Sequence, residues 1–87
     1  MTTQKTIERT QTGVRIATPL LKVLKGLAEF KDMSLGDLIE GIVLHAFEGK
    51  QPFAPETRAV IDKLREVYDC KLTAEDAHAL TDAAEQR

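Results

Sequence analysis

The side chains best suited to bind a metal or attack a substrate are few in this 87-residue chain: one cysteine, Cys70, and two histidines, His45 and His78. Cys70 and His78 stand eight positions apart across a turn, and a structural zinc site needs four ligands, so they read as a helix-end thiol and a surface imidazole. His45 falls beside an apolar helical stripe, which makes it a boundary residue. No HExxH, CxxC, phosphate-loop or nucleophile-elbow pattern occurs. These residues predict no enzyme, no metal and no cofactor.

What remains is the chemistry of charge. The chain is acidic overall, with net charge −2 and an isoelectric point near 5.6. The charge is unevenly placed. Residues 1–31 carry Lys5, Arg9, Arg15, Lys22, Lys25 and Lys31 against Glu8 and Glu29, a net of +4. Residues 32–49 carry Asp32, Asp37, Glu40 and Glu48 with no Lys or Arg, a net of −4, and residues 50–87 add −2. A uniformly acidic protein would bind polyanions poorly, but this asymmetry allows a local basic face.

The elements that position these charges follow from periodicity. The first dozen residues, MTTQKTIERTQT, hold five Thr and one large apolar residue beyond Met1, and residues 1–11 read as a mobile arm. In TGVRIATP, Val14 and Ile16 alternate with Gln11, Gly13, Arg15 and Ala17, the period-two pattern of a half-buried strand. Thr18 and Pro19 then suit a helix start, as cap and first residue. Leu20, Leu21, Val23, Leu24, Leu27, Ala28 and Phe30 give a broad apolar face to a helix over 19–31. Ser34 with Asp37 reads as a capping box opening a second helix, whose apolar stripe is Leu35, Leu38, Ile39, Ile42, Val43, Ala46 and Phe47, with Gly49 as its stop.

A lone strand leaves its backbone groups unpaired along both edges. The chain offers no second good strand, so the pattern predicts antiparallel pairing with another copy about a two-fold axis. Some 38 residues would also bury too little surface alone, since domains below about 40 residues usually need outside help. An obligate homodimer answers both problems, with Val14, Ile16, Leu24, Leu27, Leu38, Ile39, Ile42, Val43 and Phe47 as its core. Gly26, Gly36 and Gly41 inside the helices cost up to about 1 kcal/mol each relative to Ala. Close helix crossing in an interlocked dimer accounts for Gly26 and Gly41.

The stretch GVRIATPLLKVLKGLAEFKDMSLGDLIEGIVLHAF resembles a ribbon-helix-helix domain, the fold of the Arc, methionine and CopG-type repressors, in element order, lengths and the Thr-Pro junction. The resemblance covers a little under half of the chain. It implies a mainly α homodimer with one short N-terminal strand per chain, whose antiparallel β-ribbon enters the DNA major groove. Carried over by position, Gln11, Gly13, Arg15 and Ala17 would face the bases. Arg15 is the strongest reader, since its fork can bond guanine O6 and N7 together, while Gln11 could pair with adenine and the Ala17 methyl with a thymine methyl. Gly13 would let the backbone approach. The amino end of the second helix, Ser34, Leu35 and Gly36, would hold a phosphate, and Lys5 and Arg9 on the arm could order on DNA.

After Gly49 the character changes. Lys50–Pro55 is a short linker, and a helix from Pro55–Glu56 carries the stripe Val60, Ile61, Leu64, Val67 and Tyr68. Thr73 with Asp76 predicts a weak final helix bearing Ala77, Leu80 and Ala84. Residues 12–49 thus form the domain and residues 50–87 a helical extension, which could cover the dimer core, join dimers, or bind a protein partner as antitoxin tails do. No apolar run approaches 18 residues and the amino terminus lacks a signal-peptide core, so a cytoplasmic protein is expected, with no membrane role. The expected function is a DNA-binding transcriptional regulator; the alternative is a dimerisation or partner-binding module that leaves DNA alone.

Overall fold

The computed structural model describes residues 5–82, which form three α-helices of 13 residues each: α1, Thr18–Phe30; α2, Leu35–Phe47; and α3, Pro55–Val67. A single 3₁₀ turn, Ala74–Asp76, follows them. Residues 1–4 of the arm and Ala84 of the expected final helix lie outside the described residues.

No strand forms among the described residues, and this corrects the expected fold. Residues 5–17 run up to α1 without regular structure. Alternation of Val14 and Ile16 with Arg15 and Ala17 sets which way side chains point. It does not supply the partner backbone that turns an extended segment into a ladder, and the rest of the chain is helix and loop. The mainly α part of the expectation stands, whereas the ribbon-helix-helix arrangement does not.

The helix boundaries are decided by local hydrogen bonds. Ala17, rather than Thr18, is the residue before α1, because its carbonyl takes the Leu21 N–H at 2.9 Å and leaves the Thr18 hydroxyl no cap bond to accept. Asp32 closes α1 in the left-handed conformation at φ 59°, with Met33 N–H donating to the Ala28 carbonyl at 3.0 Å. Ser34 caps α2 by accepting the Asp37 N–H at 3.1 Å. Gly49, at φ 70°, ends the turn that follows α2, and Lys50 N–H returns to the His45 carbonyl at 2.8 Å. Ala54 and Pro55 start α3, and Asp69 at φ 53° stops it.

The final helix is also corrected. Thr73 and Asp76 do make the reciprocal capping box, but Ala77 is already extended at ψ 139° and His78 is left-handed at φ 69°. A cap satisfies the first donors of a helix; it does not add apolar contacts to hold later turns, and Leu80 is 53% exposed.

Leu27, at 1% exposure, Ala28 and Leu38 form the centre of the core. Leu24, Ile42, Phe53, Val60, Ile61 and Leu64 pack around them, so α3 completes the core of this chain. Gly26 belongs to that packing: a Cβ there would meet Leu64 Cδ2 at 3.0 Å and Tyr68 Cε2 at 3.6 Å. The glycine gives α3 of the same chain its close approach, which replaces the dimer crossing expected for it. At Gly41 a Cβ would meet nothing within 4 Å.

Candidate functional site

The amino-terminal segment and α2 are joined by an ion pair. Arg9 donates through Nε to Glu40 Oε2 and through Nη2 to Glu40 Oε1, both at 2.9 Å, while Asp37 Oδ1 lies 3.8 Å from Nη2. The hydrogen bond from Arg9 holds the Glu40 carboxyl below its ordinary range, against a smaller opposing effect of desolvation, and Glu40 in turn raises the Arg9 guanidinium. Asp37 therefore leans on Arg9 rather than completing a capping box with Ser34, and only the Ser34 half of that box forms. Beneath this latch runs an open groove of about 880 Å³, whose apolar wall includes Ile7, Val14, Ile16, Leu21, Leu35 and Ile39.

Of the residues expected to face bases, Gln11, Gly13 and Arg15 are exposed and Ala17 is half-buried at the start of α1. Arg15 is 80% exposed at its side chain and pairs with Asp82, Nη2 to Oδ2 at 2.7 Å. The segment Leu80–Asp82 shares a surface cleft with Arg15–Pro19. Of the residues expected to hold phosphate, Ser34 spends its hydroxyl on the Asp37 N–H, Leu35 is half-buried, and Gly36 is exposed. Open space surrounds the position of a Cβ at Gly36. Lys5 is exposed on the same segment as Arg9.

The residues expected in a dimer core divide. Leu27 and Leu38 are buried within the single chain, and Leu24, Ile16, Ile39 and Ile42 are half-buried. Val14, Val43 and Phe47 are exposed, Phe47 at 81%. Leu35, Ile39, Val43 and Phe47 follow one another at four-residue spacing along α2, a stripe beside the one that Leu38 and Ile42 turn to the core.

No family model, curated protein or solved structure matches this chain.

Three relationships had no signal in the sequence. Arg9 and Glu40 are 31 positions apart, and Arg15 and Asp82 are 67 apart; nothing in either neighbourhood specifies its partner. Arg65 is a third: it donates to the Cys70 carbonyl at 3.3 Å and the Leu72 carbonyl at 2.8 Å, fastening the chain after α3. Cys70 is buried there, and His45 Nδ1 lies 2.7 Å from the Gly41 carbonyl of its own helix. Among the described residues, no group of three or more His, Cys, Asp or Glu side chains could hold a metal, and no helix is long and apolar enough to cross a membrane.

Proposed function

We propose that this chain is a homodimeric DNA-binding protein, a small cytoplasmic transcriptional regulator, whose amino-terminal segment supplies the DNA contact. The observation that carries this reading is the character of residues 5–17. They form a segment exposed from Lys5 to Arg15, bearing Lys5, Arg9 and Arg15 against the single acid Glu8. Residues 5–16 make no backbone hydrogen bond to another backbone group among the described residues, so their N–H groups remain available to phosphate oxygens. The Arg15 fork has the geometry to pair with one guanine, and a second copy doubles the contact about a two-fold axis.

Dimerisation has its own support. The α2 stripe through Val43 and Phe47 continues into the open groove below the amino-terminal segment, and an exposed apolar band of this kind favours association. A second reading, a dimerisation or partner-binding module without DNA, is favoured by one fact: both arginines already hold carboxylates of their own chain.

Fluorescence anisotropy against a random duplex and a selected pool, at several salt concentrations, separates the two. The regulator binds in a salt-sensitive way, because each phosphate neutralised releases counterions, and Arg15→Ala loses preference for the selected pool. A folded dimer that binds neither at low salt is the module.

A further inference from the structure

We propose that Asp82 acts as a built-in competitor for nucleic acid: the segment Leu80–Asp82 folds back as an autoinhibitory clasp that must leave Arg15 before Arg15 can meet a phosphate or a base. This rests on the reading of Arg15 as a DNA contact. Asp82 Oδ2 lies 2.7 Å from Arg15 Nη2, at the distance a phosphate oxygen would take. Leu80 and Thr81 line the same cleft as Ile16, Ala17, Thr18 and Pro19, so the segment covers the passage from the amino-terminal segment into α1 as well as the arginine.

The route of the chain makes the return possible. Arg65 holds the Cys70 and Leu72 carbonyls, and the Thr73–Asp76 box turns the backbone again. Residues 77–82 then leave the 3₁₀ turn through the left-handed His78 and reach Arg15. The first turn of α1 contains no acid of its own, and its cap side chain makes no bond. A carboxylate arriving at Arg15 beside that turn thus supplies negative charge where the helix lacks it.

The clasp is weak by construction, which suits a competitor. Both partners are largely exposed, at 80% and 64%, so water and salt screen them and a polyanion with many charges displaces a single carboxylate. Where a binding-competent state is only partly populated, the apparent affinity falls by that fraction. Removing the carboxylate restores it.

The test uses the full chain, its Asp82→Asn and Arg15→Ala variants, and the double variant, titrated against a fluorescent duplex from low to physiological salt. Asp82→Asn is expected to bind about three-fold more tightly, about 0.65 kcal/mol by RT ln 3. Its salt slope steepens because the Arg15 charge is no longer neutralised before binding. The gain disappears when Arg15 is alanine. A nitroxide on Thr81→Cys, with Cys70 protected by burial, broadens the amide signals of residues 15–18 in the unliganded chain, and duplex relieves the broadening. Binding by Asp82→Asn equal to or weaker than the parent overturns the clasp and leaves the DNA reading standing, as does absence of broadening in the unliganded chain. Failure of the parent and of Asp82→Asn to bind duplex at low salt overturns the DNA reading and the clasp with it.

Discussion

Arg9 and Glu40 meet in a two-pronged pair that lays the amino-terminal segment across α2, with two hydrogen bonds of 2.9 Å each. The planar fork of arginine matches a carboxylate in this way and fixes orientation as well as charge. It also explains why residues 5–11, part of an arm that composition describes as mobile, have a defined place.

The pair makes that placement dependent on pH. Glu40 has a folded pKa below its unfolded value, so its contribution is complete above the ordinary glutamate value of 4.5 and is lost as pH falls through the lower folded value. Residues 7–16 should therefore be ordered at neutral pH and released in acid, with helix content retained. Glu40→Gln should release them at pH 7. Heteronuclear NMR relaxation of these amides reads both effects; unchanged order in Glu40→Gln would show that the pair does not hold the segment.

On the proposed dimer, Phe47→Asp should convert dimer to monomer without unfolding α2, because its side chain takes no part in the core of its own chain and is 81% exposed. A charge in an apolar interface costs far more than on an open surface. Sedimentation velocity measures the change, with circular dichroism to show that the helices remain.

The two helix glycines Gly26 and Gly41 should respond differently to alanine. Gly41→Ala meets open space and gains helix propensity, about 0.5–1 kcal/mol. Gly26→Ala has the same gain but pushes on Leu64, so its net effect is smaller. Thermal unfolding of the two variants should rank Gly41→Ala above Gly26→Ala.

Leu27→Ala should cost about 2–5 kcal/mol, the range for emptying a buried leucine site. Among the described residues few are fully buried and Leu27 is the most enclosed of them, so little packing can compensate. Urea unfolding gives the value.

Much of the helical order was legible because local chemistry decides it. Ser34, Gly49 and Pro55 each mark a boundary through a bond or a dihedral made within a few residues, and the stripes through Leu27, Leu38 and Leu64 identify the core-facing sides. The failures share the opposite character. The alternation around Val14 and Ile16 describes side-chain placement, whereas a strand depends on a backbone partner that sequence spacing does not supply. Thr73 correctly signals a cap, but the length of the helix after it depends on contacts that Leu80 does not make. In the candidate site, exposure of Arg15 and Gly36 follows from polarity and position. The carboxylates that meet Arg9 and Arg15 depend on how α2 and the chain after α3 return in space.

The completion of the core by α3 sets an order of events. Leu27, Leu38 and Leu64 come from three helices joined by short loops, with α1 meeting α2 across one loop and α3 across the length of α2. Small helical proteins, in which most contacts lie within the helices, fold in microseconds to milliseconds. Two chains at about 1 µM, meeting with ordinary association rate constants, take roughly 0.1–10 s to find each other. In the proposed dimer, a newly made chain would thus finish its helical body alone, and a second copy would meet a preformed surface rather than an unfolded partner. Substitutions at Val43 and Phe47 would then tune that proposed association without changing how fast either chain folds.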